Sequence, residues 1–273
     1  MSERKNWTEE ELTLALALYV QTPFGKINRG NSSIQKLANA IGRTSNSVAL
    51  KLANLARFDP KLQSRGVEGL KNGSKLDKVV WDRFIGSDTA ETDLVPLFDA
   101  ANSAAQQLSL KTEDYLVVPS ILSPSEKLPP IETLETERVA SVRVRRNQNL
   151  FRATVLSAYD NCCAITGLRV PQLLEAAHII PWSESTKNRL QPSNGIALSV
   201  AMHRAFDANL IGITPDFVCR VSPKFTDAVP VDTPARIFLE NIDCYHLREP
   251  VRFQANRDFL AERYEQFLQA SEL

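Results

Sequence analysis

Two histidines and an asparagine in the C-terminal half of the chain have side chains suited to hydrolysis. His178 lies near the end of the apolar stretch LLEAAHIIPW (173–182), Asn194 follows sixteen residues later, and His203 follows after nine more. An imidazole has an ordinary pKa of about 6.5, so near neutral pH it can accept a proton from water. His178 could instead be a core histidine bonded to a backbone carbonyl, and the surrounding elements must decide between these interpretations.

His203 and Asp207 are four residues apart in AMHRAFDANL (201–210), a stretch with helical character. Side chains at i and i+4 project from one face of a helix, so an imidazole and a carboxylate spaced in this way can bind one divalent cation. Nitrogen and oxygen ligands of this kind are accepted by Mg, Mn, Ni or Zn. The spacing therefore predicts a metal-binding pair.

The segments around these residues predict a strand, a polar loop, a returning strand and a helix, in that order. A strand ending in histidine, a loop carrying asparagine and a helix carrying histidine is the order of the ββα-metal fold, and residues 143–222 resemble an HNH endonuclease. The resemblance is closest to the branch found in restriction-type nucleases. The matching motifs are Gln148-x-x-Phe151-Arg152, Cys163-x-x-Thr166-Gly167, Ala177-His178-Ile179-x-Pro181-Trp182, Asn194-Gly195-Ile196-x-Leu198 and His203-x-x-Phe206-Asp207.

The resemblance implies a role for each matched residue. His178 would be the general base that activates water to attack a phosphodiester, and the products would carry a 5′ phosphate and a 3′ hydroxyl. His203 would bind the metal, with Asp207 as its helical partner. Asn194 would brace the loop and orient His178, although in some family members this position binds the metal itself. The expected cofactor is Mg or Mn, with Ni or Zn possible.

One position departs from the family pattern beside the base. Many HNH enzymes have Asp, Glu or His immediately before it as a further metal ligand, and this chain has Ala177. The metal site would then depend on His203, Asp207, substrate oxygens and water. Glu175 is three residues before His178, which in a strand places it on the opposite face, so it is not predicted to belong to the site.

The cysteines predict reduced thiols and no structural zinc. None of the four forms a Cys-x-x-Cys pair, and the pairs of zinc-stabilised relatives correspond here to Cys163-x-x-Thr166 and Ser199-x-x-Met202. No apolar run approaches about 18 residues, and the start MSERKNW lacks the apolar centre of a signal peptide. These features predict a cytoplasmic protein without a membrane segment.

The net charge of zero conceals alternating blocks of charge. Residues 1–86 carry 14 Lys+Arg against 8 Asp+Glu, a net +6, and residues 138–160 carry 5 against 1, a net +4. Residues 87–137 between them carry 2 against 10, a net −8. Two basic blocks suggest two surfaces for an anionic polymer, although solvated basic faces would give the same pattern.

The N-terminal block predicts a DNA-reading module. Thr8 and Glu11 form a capping box before an apolar helix, and SSIQKLANAIG (32–42) and RTSNSVALKLANLAR (43–57) predict two helices joined by a turn that contains glycine. GLKNGSKL (69–76) could form a hairpin like the wing of a winged helix. A generic three-helix packing module is the alternative. The predicted DNA contacts here are Asn46, Ser47, Lys51 and Asn54 on the second helix and Lys71 and Lys75 on the wing.

Further DNA contacts are predicted next to the histidines. Residues 142–145 (VRVR) alternate as a strand would, and a loop arginine, Arg189, could bind phosphate or simply be exposed. The cationic group beside the motif consists of Arg143, Arg145, Arg146 and Arg152.

Together these features predict an α+β protein in three parts. Residues 1–86 would be a helix-turn-helix or winged-helix-like domain, 87–137 an acidic connector with prolines and one docked helix, and 138–273 an HNH nuclease domain with its core motif at 160–222. The predicted function is a metal-dependent endonuclease acting on double-stranded DNA, a restriction or defence enzyme for foreign or modified DNA. A homodimer is expected because one HNH site cuts one strand.

Two alternatives remain open at this stage. The first is a DNA-binding regulator with an inactive HNH fold, which Ala177 favours. The second is a nuclease effector whose N-terminal region senses a signal other than DNA.

Overall fold

The computed structural model describes residues 6–66, 74–87, 92–111, 135–185 and 187–271, and for residues 135–146 it describes the backbone only. Within these ranges the fold combines helices with two small antiparallel sheets. The described helices include none that is long and apolar enough to span a membrane.

The helix α1 (Glu9–Gln21) is the buried centre of the N-terminal region. The predicted capping box is confirmed, since the Thr8 side chain accepts the N–H of Glu11 and the Glu11 carboxylate accepts the N–H of Thr8. Residues 11–21 are all buried, as expected for a helix that other helices surround. The helices packed against it are α2 (Ser32–Ala40), α3 (Ser45–Ala56), α5 (Lys75–Phe84) and α6 (Val95–Gln107), and a short α4 (Pro60–Ser64) follows α3.

The two helices predicted after α1 have the expected apolar faces. The apolar residues on their inner faces are all buried: Ile34, Leu37, Ala38, Ile41, Val48, Leu52 and Leu55. Thr44 caps α3 by accepting the N–H of Ser47, and Gly42 follows α2 with a φ of 66°, in the left-handed region that favours glycine. The identity of the pair as a helix-turn-helix stays a prediction.

The helix predicted in the acidic connector is confirmed as α6. Leu97, Phe98 and Ala101 are buried on its inner face, which lies against α1. Pro119, Pro124, Pro129 and Pro130 of the connector lie outside the described residues.

The C-terminal region contains the predicted order of two strands and a helix. After α7 (Glu135–Ala158), β1 (Leu174–His178) pairs antiparallel with β2 (Gly195–Ser199), so that His178 lies opposite Gly195. The helix α8 (Val200–Asp207) begins directly after β2 and packs on both strands, as α7 also does. A loop that crosses from His178 to Gly195 therefore lies at one end of the sheet.

Glycine is required where β2 meets α7. A Cβ added to Gly195 would lie 2.4 Å from Val155 Cγ2 and 2.8 Å from Phe151 Cζ, far closer than carbon atoms can approach. The absence of a side chain lets α7 close on the strand and brings Phe151 to the end of β1. The packing of α7 on β2 therefore explains why glycine follows Asn194.

The chain then adds a second strand pair and closing helices. The strands β3 (Ile211–Ile213) and β4 (Cys219–Val221) pair antiparallel across the turn at Thr214–Asp216. The terminal helix is capped by Asn256, whose Oδ1 accepts the N–H of Asp258. The closing helices are α9 (Pro223–Asp227), α10 (Pro234–Ile242) and α11 (Arg257–Ser271).

Two secondary-structure predictions were wrong. Residues 142–145 lie inside the long α7, because a four-residue alternation is weaker than the helical spacing that continues from Phe151 and Val155. Lys75 is the first residue of α5, capped by Ser74, so it does not flank a wing in a strand. Lys71 and the tip of the proposed hairpin lie outside the described residues.

A buried arginine joins the C-terminal region to α1. Arg252 is fully buried and donates to the carbonyls of Tyr19 and Thr22 at the C-terminal end of α1, where helix carbonyls lack partners. Its guanidinium also lies 4.5 Å from the centre of the Tyr19 ring. Together with the packing of α7 on α1, this contact makes the buried core continuous between the two regions.

Candidate active site

The ring of His178 is held in one orientation at the end of β1. It stacks on Phe151 with ring centres 4.0 Å apart and planes 9° apart. The Trp182 ring lies nearly perpendicular to it, with ring centres 5.6 Å apart. Nε2 lies 3.1 Å from the carbonyl oxygen of Arg189. A carbonyl can only accept, so Nε2 carries the proton and the neutral ring has its lone pair on Nδ1.

The Nδ1 atom of His178 is therefore available as a base. It has no hydrogen-bond partner among the described residues. Burial lowers the pKa of His178 below its usual value, and the charge of His203 adds to this, while the Arg189 carbonyl and the charge of Asp207 oppose it. A lowered pKa keeps the imidazole neutral at physiological pH.

Asn194 holds the backbone that follows His178. It is 1% exposed, its Oδ1 accepts the N–H of Ile180 at 2.8 Å, and its Nδ2 donates to the carbonyls of Ile180 and Asn188 at 3.1 Å each. Asn188 immediately precedes Arg189, whose carbonyl fixes the His178 ring. The amide thus connects the two ends of the loop, and its oxygen accepts a backbone N–H, while its role in the reaction stays a prediction.

His203 lies between two carboxylates. Its Nδ1 is 2.7 Å from Glu175 Oε2, and its Nε2 is 3.4 Å from Asp207 Oδ2. Glu175 accepts the Nδ1 proton, so the Nε2 lone pair faces Asp207. The hydrogen bond from His203 lowers the pKa of Glu175, burial opposes this, and the charges of His203, Arg204 and Arg152 lower it further.

These donors fit a divalent cation between His203 Nε2 and Asp207 Oδ2. Ligands that each lie about 2.1 Å from one ion, at about 90–110° to each other, are about 3.0–3.4 Å apart. The observed 3.4 Å falls in that range. A carboxylate on the remote nitrogen of a histidine is also the usual partner of a metal-bound imidazole.

The protein supplies few ligands to such an ion. No group of three or more His, Cys, Asp or Glu side chains within the described ranges is placed to hold a metal. A site with two protein ligands leaves its remaining positions to water and phosphate oxygens, which is usual for Mg²⁺.

Glu175 is the residue that the sequence reasoning missed. Strand alternation argued against Glu175, but α8 packs on β1 so that its His203 reaches the Glu175 carboxylate. The only signal in the sequence was a Glu three residues before His178. Whether that Glu joins the site depended on where α8 packs.

The two arginines near the site are engaged with backbone carbonyls. Arg152 donates to Pro171 and Leu174 at the start of β1. Arg189 donates through Nε to the Trp182 carbonyl, and its guanidinium lies 4.9 Å from the centre of that ring. These contacts hold both side chains beside β1 and the loop, and their contact with DNA stays a prediction. The side chains of Arg143, Arg145 and Arg146 lie outside the described part.

The predicted DNA-reading face of α3 is partly wrong. Lys51 is 7% exposed and donates to the fully buried Asp77 of α5 at 2.8 Å, so it cannot reach a nucleic acid. The error arose because the exposed face was assigned from α2 and α3 alone, whereas α5 covers part of it. Asn46 is exposed, and Ser47 and Asn54 are half-buried.

The turn at Cys163 is organised around its sulfur. Cys163 Sγ accepts the N–H of Thr166 at 3.3 Å and the N–H of Ser199 at 3.2 Å. Cys163 is completely buried, and Met202 is buried at the position where zinc-stabilised relatives have a cysteine. Hydrogen bonds and apolar packing thus connect the turn to β2, and the absence of structural zinc stays a prediction.

Two antiparallel strands followed by a helix, with one histidine ending a strand and another on the helix, form the ββα arrangement. Residues 163–214 carry an HNH endonuclease domain, since they match the family model described as HNH endonuclease, HNH_2. The match includes His178, Asn194, His203 and Asp207. No curated protein matches the chain. Nuclease activity and dependence on a divalent metal are general properties of this domain family.

Proposed function

We propose that the protein is a metal-dependent DNA endonuclease that hydrolyses phosphodiester bonds to 5′-phosphate and 3′-hydroxyl ends. The observation that carries this proposal is the Nδ1 of His178, which has no hydrogen-bond partner among the described residues and lies within reach of the charges of a histidine–aspartate pair with metal-ligand spacing. A restriction or defence role against foreign or modified DNA is the biological setting that we propose.

The chain's own residues would perform the proton transfer. His178 Nδ1 takes a proton from the water that attacks phosphorus, and the bond from phosphorus to the 3′ oxygen then breaks. The Arg189 carbonyl, bound to Nε2–H, stabilises the imidazolium that this transfer produces. Phe151 and Trp182 keep the ring in place, and Asn194 fixes the backbone around it.

His203 and Asp207 would hold the cation, Mg²⁺ or Mn²⁺ in our proposal, with Glu175 orienting His203. The bound cation would neutralise charge that develops on the phosphate oxygens and on the leaving 3′ oxygen. Since Asn194 Oδ1 accepts the N–H of Ile180, we propose that Asn194 positions the base and does not bind the metal.

Cleavage of plasmid DNA tests the proposed function. The purified chain, incubated with Mg²⁺ or Mn²⁺, is expected to convert supercoiled plasmid to nicked and then linear forms, and EDTA should stop both conversions. Parallel plasmids carrying methylated or hydroxymethylated bases would show whether modification directs cutting. Failure to cut any of these substrates with either metal would contradict the proposal.

We also propose that the helical region 1–86 reads DNA and that the active protein is a homodimer. Exposed Asn46 near the start of α3, together with the net charge of +6, supports the first proposal. Two copies would place one active site on each strand. Sedimentation of the protein alone and with DNA would measure the number of copies.

A second candidate function is a nuclease effector whose helical region senses something other than DNA. The burial of Lys51 favours it, because it removes a cation from the proposed reading face.

In a gel-shift assay with the full chain, Asn46→Asp should weaken DNA binding about tenfold if α3 enters a groove, because it replaces an amide by a negative charge beside phosphates or bases. Glu240→Asp on the exposed face of α10 is the control, and equal binding by both variants would favour the effector.

A further inference from the structure

The C-terminal helix α11 lies outside the matched domain but contacts the helix that carries the proposed metal ligands. Phe267 seats α11 on β3 at Gly212, where an added Cβ would lie 2.4 Å from the Phe267 ring. Arg263 is one turn earlier on the same face of α11. The packing on β3 thus determines where the Arg263 side chain lies.

Arg263 is almost completely buried at the C-terminal end of α8. It is 6% exposed, and its guanidinium lies 4.9 Å from the centre of the Phe206 ring. Its Nη2 donates to the Phe206 carbonyl at 2.7 Å, and its Nη1 donates to Asn209 Oδ1 and to Gln266 Oε1. A buried arginine with this many partners has a fixed position.

Two of the groups that Arg263 binds, the Phe206 carbonyl and the Asn209 side chain, lie on either side of Asp207 in the sequence. Phe206 immediately precedes Asp207, and its carbonyl lies in the last turn of the helix, where it accepts the N–H of Asn209 as well as the Arg263 guanidinium. Asn209 ends the helix with a φ of 53°, a left-handed conformation typical of this cap position. The charge of Asp207 also acts on the guanidinium.

We propose that Arg263 is a positioning residue for Asp207, so that α11 completes the metal site although it lies outside the HNH match. The proposal rests on the proposed function of His203 and Asp207 as metal ligands. By bridging the residue before Asp207 and the cap after it, the guanidinium fixes the last turn of α8 and thereby the Asp207 carboxylate. Loss of the bridge would leave both ligands present but the carboxylate poorly placed.

Binding of Mn²⁺ to the full chain tests this proposal without measuring cleavage. Electron paramagnetic resonance of free Mn²⁺ gives the dissociation constant for wild type, Arg263→Met and Asn209→Gly. Glycine tolerates the left-handed φ at position 209, so Asn209→Gly removes one anchor without straining the backbone. Arg257→Met is the matched control, because Arg257 is exposed on the same helix and pairs with exposed Asp216.

We expect Arg263→Met to weaken Mn²⁺ binding about 10- to 100-fold and Asn209→Gly about 3- to 10-fold, the range typical of residues that orient metal ligands. The Mn²⁺ concentration for half-maximal cleavage should rise in parallel, while KM for DNA stays unchanged. Arg257→Met should bind Mn²⁺ as wild type does.

Thermal unfolding without metal separates a positioning role from a loss of fold. If Arg263→Met does not fold, Asn209→Gly decides the question alone. Wild-type Mn²⁺ affinity in a folded Arg263→Met variant, or in Asn209→Gly, would overturn the positioning role and leave the proposed nuclease intact. Failure of wild type itself to bind Mn²⁺ would overturn both proposals.

Discussion

Replacing His178 with alanine is expected to lower the rate of DNA cleavage by about 10²- to 10⁴-fold, the contribution typical of a general base. The substitution removes the Nδ1 atom that would take the proton from water, while His203 and Asp207 remain in place. Plasmid cleavage with Mg²⁺ or Mn²⁺ under single-turnover conditions measures this loss. Binding of Mn²⁺ should be unchanged, because His178 is not among the proposed metal ligands.

A matched control is provided by the third histidine of the chain. His246 is exposed and belongs to no cluster of functional side chains, so His246→Ala should cleave as wild type does. Equal cleavage rates for wild type and His178→Ala would show that another group activates the water. Both variants should first be shown to unfold cooperatively, because His178 packs against Phe151 and Trp182.

The pH dependence of cleavage provides a second readout for His178. The base must be neutral, so activity should fall as the pH decreases through the pKa of His178 and protonates Nδ1. Burial lowers that pKa, so the acidic limb for wild type should lie below about pH 6.5, the ordinary value for histidine. The residual activity of His178→Ala should lack this limb. An acidic limb in wild type above pH 6.5 would contradict the assignment.

Replacing Glu175 with glutamine is expected to weaken metal binding by about 10- to 100-fold, a range typical for partners of metal-bound histidines. A carboxylate can only accept, so Glu175 keeps the proton of His203 on Nδ1 and the lone pair on Nε2. A glutamine amide can donate as well as accept, and a proton transferred to Nε2 would block the atom that faces Asp207. Isothermal titration with Mn²⁺ measures the effect.

Glu262→Gln is the control for this second experiment, because Glu262 is exposed on α11 and also loses one negative charge. It should bind Mn²⁺ with wild-type affinity. Glutamine has nearly the same size and shape as glutamate, so the fold should survive the change. Unchanged Mn²⁺ affinity in Glu175→Gln would show that His203 does not need its carboxylate partner.

Local rules predicted the elements that carry the site. The capping box of Thr8 and Glu11, the two strands and the helix around the histidines, and the i,i+4 pair His203 and Asp207 all follow from spacing over a few residues. Hydrogen bonding and side-chain direction within one turn or one strand decide such features. The alternation at 142–145 was too short to be decisive, and a longer helix includes it.

Contacts between distant residues were decided by packing. Glu175 and His203 are 28 residues apart, Lys51 and Asp77 are 26 apart, and Arg263 and Phe206 are 57 apart. Strand alternation alone argued against a role for Glu175, because its contact with His203 depends on where α8 packs.

The sequence by itself determined the nuclease-type motif, its order of elements and the spacing of its proposed metal pair. Only the tertiary structure decided the orientation of His178 through Arg189, the partnership of Glu175 with His203, and the burial of Lys51. The physical reason is that a pattern along the chain records periodicity within an element. Which faces of the helices and strands pack together depends on the apolar surface area that is buried over the whole core.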